Sequence, residues 1–443
     1  MQDKEKIKTR FAPSPTGSLH LGGARSALFN YLFAKQNNGT FVVRIEDTDK
    51  ERSKKEYEDD IKKGLTWLGI TWDHIHTQQE EKEYHKKVLQ TLINNGVAYI
   101  SKEKIKKEGD RPEVIRFKNP KTPVTFNDII RGEVTMETES LGDFVIAKNL
   151  EEPLYHLAVV ADDEHHSITH VIRGEDHISN TPRQILIQRA LGYKTPTYAH
   201  LPLILAPDKT KLSKRHGATS VTEFMDMGYL REALLNYLVL LGWHPKNDTE
   251  LLEINDMIRS FKLEDVQKGG AVFDIEKLNW LNRNYMSKLS EKDFYSYATP
   301  YIPSQLKNHP GYKKILAVER ERIQKGQDIK TLHDIGEFDY FYNTPKYDDA
   351  KIGGQKNPPP KEDTVRHIET LISAIKELPV FDKLSIKEAI WKYAEQNGKG
   401  SVLWPMRYAL SGKDRSPDPF VIAEILGKEE TILRLKEVKS RIE

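Results

Sequence analysis

Between Ile7 and Glu46 the chain reads as strand, punctuated loop, helix and strand, an order that few folds accommodate. Ile7–Ala12 (I-K-T-R-F-A) has the texture of a short strand, and the cluster Pro13-Ser14-Pro15-Thr16-Gly17 must stop it. Ser18 is the expected N-cap of a helix running to about Lys35, with Leu21, Ala24, Leu28, Tyr31 and Leu32 on one face. Phe41–Glu46 (F-V-V-R-I-E) supplies a second strand. Two strands joined through a helix in so short a span should lie parallel. Ligands of such sheets sit off the carboxyl ends of the strands, which places Arg10 and Glu46 beside one crevice.

The rest of the chain continues the mixture and then abandons it. Ser53 opens S-K-K-E, a capping-box pattern, before a helix carrying Tyr57, Ile61, Leu65 and Leu68 and closed by Gly69. A further helix carries Tyr84, Val88, Leu92 and Ile93 up to Gly96. From about Ile100 to Asn149, lysine-rich turns and short strand-like runs suggest an inserted subdomain. The sheet pattern is expected to resume at Leu154–Val160 and Ile168–Arg173. Thr181-Pro182 then opens a helix ending at Gly192, and Tyr198–Ala206 reads as another buried strand. From Gly228 the pattern is mainly helical, starting with the stripe Leu230, Leu234, Tyr237, Leu238 and Leu241. A polar, proline-rich join, Lys351–Lys361, precedes the last helices, of which Lys428–Arg441 reads as an ordinary exposed one.

Composition excludes several classes of function. With 443 residues, about three domains at ~150 residues each are expected. There is no cysteine, which excludes disulfides, thiolate zinc sites and thiol catalysis, and is compatible with a reducing cytoplasm. The charged stretch Met1–Arg10 has no apolar run that would read as a signal peptide, and no segment reads as a membrane span. The net charge is only +2, so any nucleic-acid surface must be a local arrangement of positive charge.

Two loops carry phosphate chemistry. In the first, Pro13–Gly23, a glycine-bearing turn leads into a helix start with His20 in the first turn and Gly22 and Gly23 behind it. Free N–H groups and the helix dipole favour an anion there, glycine allows close approach to the backbone, and His20 can donate to a phosphate oxygen. In the second, Lys211, Lys214 and Arg215 surround Leu212 and Ser213 just after a buried strand, a flexible cationic loop suited to the outer phosphates of a nucleotide. Alone, either loop reads more simply as a capped turn or a solvated basic turn; their order within one sheet pattern favours the nucleotide.

These residues resemble the two signature motifs of the class I aminoacyl-tRNA synthetases. The opening Arg10-Phe11-Ala12-Pro13-Ser14-Pro15-Thr16-Gly17 is similar to that of the glutamyl-tRNA synthetases. So are Arg44–Asp49, Thr169–His177, Leu212–Gly217, Leu235–Trp243 and Trp404-Pro405-Met406-Arg407. The resemblance implies an α/β fold with a Rossmann-type parallel-sheet catalytic domain, an inserted α+β subdomain and all-helical C-terminal domains. Its expected divisions are a catalytic first half (1–75), an acceptor-binding insertion (76–152), a catalytic second half (153–222), a helical stem-contact domain (223–302) and a helical anticodon-binding domain (303–443).

The implied reaction is activation of L-glutamate by ATP with Mg²⁺, then transfer to the 3′ end of tRNA(Glu), with tRNA(Gln) open as a second acceptor. The resemblance assigns catalytic roles to His20, Lys211 and Lys214. It assigns ATP contacts to Gly22, Gly23, Asp176, Leu212, Ser213, Lys214 and Arg215, and glutamate contacts to Arg10, Ala12, Ser14, Glu46, Tyr155 and Arg173. A cytoplasmic monomer is expected, with no membrane partner. Some family members carry a cysteine-bearing zinc knuckle where this chain has the cysteine-free Tyr99–Arg116, so no zinc and no other protein-held metal is expected. Val159 stands where some relatives have asparagine. The rival readings are a glutamyl-queuosine-type paralogue, a broader nucleotidylyltransferase and a catalytically silent RNA-binding homologue. The long segment after Gly242 disfavours the first, the paired arginines the second, and intact His20, Lys211 and Lys214 the third.

Overall fold

A computed structural model of the chain describes residues 6–49, 51–105, 111–247, 249–354 and 359–443. Residues 355–358 of the expected proline-rich join, 106–110 of the cysteine-free stretch and 1–5 of the charged N-terminus lie outside the described residues. The fold comprises two compact units, residues 1–285 and 286–443.

The first unit opens with β1 (Lys8–Phe11), α1 (Leu21–Gln36), β2 (Thr40–Ile45), α2 (Lys55–Trp67), β3 (His74–Thr77) and α3 (Lys82–Asn94). There follow β4 (Ala98–Lys102), β5 (Glu113–Phe117), β6 (Val124–Asp128), β7 (Gly132–Met136), β8 (Phe144–Asn149) and β9 (Glu152–Pro153). Next come α4 (Tyr155–His165), β10 (His170–Gly174), α5 (Thr181–Leu191), β11 (Thr197–Leu201), β12 (Ile204–Leu205), α6 (Val221–Asp226) and α7 (Arg231–Leu240). The main sheet has seven strands in the order β3-β2-β1-β10-β11-β6-β7, parallel except for the antiparallel β6–β7 hairpin. Chain order runs outward from β1 through β2 to β3 on one side and from β10 to β11 on the other, where the earlier strands β6 and β7 are added beyond β11. The reversal therefore falls between β1 and β10, and the crevice off their carboxyl ends is where such sheets bind ligands.

The central strands β1, β2, β10 and β11 are covered on both faces and mostly buried, whereas the outer strands β3 and β7 are partly exposed. Alternation sends Val171 into a core with Leu157, Val160 and Ile185 of α4 and α5. Its neighbour Ile172 enters the opposite core, with Leu28 and Leu32 of α1 and Leu238 of α7. The buried Arg25 of α1 ties that face together by donating from Nη1 to Leu241 O at 2.9 Å and from Nη2 to Pro202 O.

Several sequence expectations need correction. Leu154–Val160, expected as a strand, lies at the start of α4, which runs Tyr155–His165. An unbroken apolar run is ambiguous by period alone, and here helix-favouring alanines and burial against α5 decide it. Ser18 is not the cap of α1. Residues 19 and 21 instead exchange backbone hydrogen bonds with 221 and 219 (Val221 N to Leu19 O and Leu21 N to Thr219 O, both 2.8 Å), so the helix starts later, capped by His20. Ser53 does not cap α2; Lys54 holds that position without a side-chain bond. The segment 76–152 is not one separate body in the sheets. β4, β5, β8 and β9 form their own sheet, whereas β6 and β7 extend the main one.

The second unit is helical among its described residues, from Glu291–Ala298 to Lys428–Ile442. The last helix is no exposed appendage, because Leu435 and Val438 are fully buried and Arg434 donates to the carbonyls of Tyr340 and Leu410 at 2.7 Å each. Two aromatic residues of the C-terminal helices serve this unit's packing. Tyr408 is buried with its hydroxyl accepting from Asp348 N at 2.9 Å, and Trp404 Nε1 donates to Lys351 O at 2.8 Å. The half-buried Trp391 lies under the ammonium groups of Lys387 and Lys399, at 4.8 and 4.3 Å from its ring centre, and Arg407 is half-buried. No helix of the described residues is long and apolar enough to cross a membrane.

Candidate functional site

The loop before α1 and the lysine loop meet. Backbone pairing of residues 19–21 with 219–221 brings the start of α1 against the end of the lysine loop, with His20 bridged to Ser220. Asp60 of α2 clamps both sides, accepting from Leu19 N at 2.8 Å through one oxygen and from the Thr222 hydroxyl at 3.0 Å through the other. Sequence reasoning passed over Asp60, whose two partners are distant in the chain.

His20 is the N-cap of α1, and its Nδ1 accepts from Gly23 N at 3.0 Å. That bond leaves the ring proton on Nε2, a donor free for an anion. The ring is open to solvent yet ringed by protein atoms; that enclosure, then the Lys211 ammonium, draws its pKa below the ordinary value against the pull of Asp176. A Cβ at Gly22 would lie 3.1 Å from His20 Nδ1, so glycine there keeps the cap unstrained.

The lysine loop is more ordered at its start than a flexible loop would be. Ala206 N bonds Thr210 O at 2.8 Å and Leu212 N bonds Ile204 O at 3.0 Å, a tight hairpin turned by Lys209 at φ +63°. Lys214–His216 then makes one 3₁₀ turn closed by Ser213 and His216, with Leu212 packed on the core. Lys214 and Arg215 are exposed. The Lys211 ammonium meets Asp176 at 3.2 Å, and a Cβ at Gly174 would lie 2.6 Å from Asp176 Oδ1, so a side chain there would push that carboxylate aside.

On the other side of the crevice charge is buried. Arg10 donates to Asp163 through Nε (3.2 Å) and Nη2 (3.4 Å), and Arg44 reaches Asp163 at 2.6 Å and Glu46 at 3.0 Å. Arg44 also lies 3.6 Å from Asp162, which takes His85 at 2.5 Å and Gln78 at 2.7 Å. Burial pushes the Glu46 carboxyl up, and Arg44 pulls against it. The Asp163 carboxyl ends below the usual carboxylate range because Arg10 and Arg44 together outweigh its burial. Asp162, Asp163 and Arg44 were not foreseen as site residues, and the adjacent carboxylates ending an apolar run were the available signal. Once 155–165 is read as helix, they project onto the sheet.

Arg173, on β10, is buried and bonded to His200 and Thr181, and its guanidinium lies 5.6 Å from the ring of Tyr198. Its Nη1 is buried with no hydrogen-bond partner among the described residues. Tyr155 begins α4, with its hydroxyl 3.0 Å from His177 Nδ1. Arg173, Glu46 and Arg10 all act on the Tyr155 phenol, whose pKa is raised first by burial. Those four side chains therefore share one electrostatic neighbourhood. His177, bonded to Tyr155 and within the field of both Arg173 and Asp176, joins it to the phosphate side. Ala12 is half-buried, Ser14 is exposed, and the loop they occupy is fixed by Glu46 N bonding Pro13 O at 2.9 Å. Val159 is buried in α4.

Among the described residues His76, Glu81 and His166 have ligand atoms within 4.8 Å of one another. The two imidazoles are stacked, 4.0 Å apart at 18°, so their lone pairs run side by side instead of converging on an ion.

Comparison with known proteins agrees with this geometry. The family profile described as tRNA synthetases class I (E and Q), catalytic domain, matches residues 6–108 and 100–280. That described as anticodon binding domain matches 293–439. The chain is 40% identical to glutamate–tRNA ligase 2 of Thermoanaerobacter pseudethanolicus, covering 97% of each. It is also 40% identical to glutamate–tRNA ligase 1 of Caldanaerobacter subterraneus, over 99% of this chain and 98% of the other. A crystal structure of a glutamate tRNA ligase from Elizabethkingia meningosepticum in complex with its amino acid superposes with a TM-score of 0.86 at 31% identity, covering 99% of this chain and all of that one.

Proposed function

The chain belongs to the glutamate–tRNA ligases, class I synthetases that join glutamate to tRNA, and we propose that it does so by dividing two kinds of positive charge across the β1/β10 crevice. The buried guanidinium of Arg173, with its unpartnered Nη1 and the neighbouring Arg10, is suited to the side-chain carboxylate of glutamate. Glu46 offers a carboxylate for the substrate's ammonium group, with Tyr155, Ala12 and Ser14 lining the approach. On the opposite side His20, Lys211, Lys214 and Arg215 suit the phosphates of ATP, with Gly22, Gly23, Leu212, Ser213 and Asp176 completing that side.

ATP, brought as substrate with Mg²⁺, supplies the phosphorus that the glutamate α-carboxylate attacks; pyrophosphate leaves and glutamyl-adenylate forms. The protein's part is positioning and charge stabilisation, for which no side-chain nucleophile is needed. The Nε2–H of neutral His20 donates toward the phosphates, and exposed Lys214 follows the charge that develops on them. tRNA(Glu) is the acceptor in this reading, tRNA(Gln) a second one to be tested by charging purified pools, and the working form a cytoplasmic monomer. The helical unit, matching an anticodon-binding family, supports a full-length synthetase over a truncated paralogue.

The observation that carries the amino-acid assignment is the orphaned Nη1 of buried Arg173. Arg173→Ala is expected to raise the glutamate KM at least tenfold while the ATP KM moves by less than about threefold. Equal rises in both constants would remove the assignment.

A further inference from the structure

How Arg173 meets a carboxylate depends on which edge of its guanidinium is free, and the protein fixes that edge from behind. Nε donates to His200 Nε2 at 3.3 Å and Nη2 donates to Thr181 Oγ1 at 2.8 Å. A guanidinium carries five N–H groups in a rigid planar fork. Holding Nε and one Nη2 hydrogen leaves the edge made by Nη1 and the second Nη2 hydrogen, and Nη1 has no hydrogen-bond partner among the described residues.

His200 can serve Arg173 only as an acceptor, so its Nε2 must carry no proton. Asp128 settles this. Its Oδ2 lies 2.6 Å from His200 Nδ1 and also takes the His200 backbone N–H at 3.0 Å. Its Oδ1 accepts the backbone N–H groups of Ile130 and Arg131 at 2.9 Å each. The ring proton therefore sits on Nδ1, and the Nε2 lone pair faces Arg173 and the Thr181 hydroxyl, 3.0 Å away. Burial, with Arg173 and Arg131, holds His200 toward its neutral form against the pull of Asp128. Asp128, His200 and Thr181 are all buried, so water does not substitute for any of these bonds.

We infer that Asp128, His200 and Thr181 are positioning residues that hold one edge of Arg173 so that its other edge meets the carboxylate of the amino-acid substrate, a role that rests on the proposed contact of Arg173 with glutamate. Asp128 comes from the β6–β7 hairpin of the inserted segment, and β6 reaches β11 through the pairing of Asp128 with Tyr198. The insertion thereby completes the amino-acid side of the crevice.

The test is aminoacylation by the full-length enzyme with tRNA(Glu), with L-glutamate and ATP varied separately. Asparagine at 200 keeps a donor near the Nδ1 position for Asp128 but nothing at Nε2, whereas glutamine places an oxygen near Nε2. His200→Asn is expected to raise the glutamate KM roughly tenfold, the loss of one hydrogen bond to a charged group, with the ATP KM within about twofold of wild type. His200→Gln should recover most of that loss. Thr181→Val, nearly isosteric, should raise the glutamate KM severalfold, and it decides the matter if the His200 variants do not fold. A glutamate KM within about twofold of wild type in both His200→Asn and Thr181→Val, beside a selectively impaired Arg173→Ala, overturns the positioning role and leaves the arginine assignment standing. Arg173→Ala without selectivity for glutamate overturns the assignment beneath it.

Discussion

The two sides of the crevice carry the same sign of charge in opposite settings. Arg10, Arg44 and Arg173 are almost wholly buried, and each is held by a carboxylate, an imidazole or a hydroxyl. Lys211, Lys214 and Arg215 stand in solvent, and the one ion pair that Lys211 makes is exposed on both partners. Buried charges are costly to desolvate and are kept only where paired, so their geometry is set before any ligand arrives. Exposed lysines keep rotamer freedom and hold little stability. The comparison teaches that one sign of charge can be fixed in advance by buried partners or left free to move in solvent, and the proposed function assigns the carboxylate of glutamate to the first and the phosphates of ATP to the second.

Breaking the buried side should cost most. Asp163→Ala leaves the buried Arg10 without its carboxylate partner and strips Arg44 of the shortest of its three, so a destabilisation of about 3–5 kcal/mol is expected in urea unfolding. A loss under about 1 kcal/mol would show that this network is not the rigid half of the comparison. On the exposed side, Lys214→Ala should slow glutamyl-adenylate formation by at least ~10², equivalent to about 3 kcal/mol in the barrier, with the melting temperature nearly unchanged. Pyrophosphate exchange in the presence of tRNA reads this, and a rate within a few-fold of wild type would sink the phosphate role.

The pH dependence sharpens the same contrast. Burial first, then the guanidiniums of Arg183 and Arg173 respectively, draws His156 and His177 down to about 4. In the unfolded chain these rings protonate near 6.5, so the unfolded state binds protons first as pH falls. The stability they contribute is complete above about pH 6.5 and is lost as pH falls toward 4, while Glu46, pushed up by burial, opposes the trend. Thermal melts from pH 7.5 to 4.5 should fall, and His177→Asn should flatten part of the slope. The smallest expected effect is on the stability of Lys211→Ala, about 1 kcal/mol or less, because its partner Asp176 is exposed too. A larger loss would mean that the lysine loop is structural.

The local elements on which the candidate site is built were legible in the chain. The punctuated loop after β1, the lysine cluster after β12 and the arginines at strand ends follow from local sequence, because turn residues and strand termini are local signals. Asp60, Asp163, Asp128 and His200 were not, because each acts across a long separation: Asp163 on Arg10, and Asp128 on His200. The misreading of 154–160 as a strand hid Asp162 and Asp163 by placing them beyond an element instead of on its inner face.

By itself the sequence determined the parallel βαβ opening, the glycine-bearing and lysine-rich loops and the helical C-terminal texture, since backbone propensity, periodicity and glycine or proline punctuation act over a few residues. Only the tertiary structure decided that β1 and β10 adjoin and that residues 19–21 pair with 219–221. It also decided that the β6–β7 hairpin joins β11 and that Asp128 meets His200, which in turn accepts from Arg173. Those pairings are fixed by which buried surfaces and hydrogen-bonding groups can be satisfied together, a condition that no local stretch of chain contains.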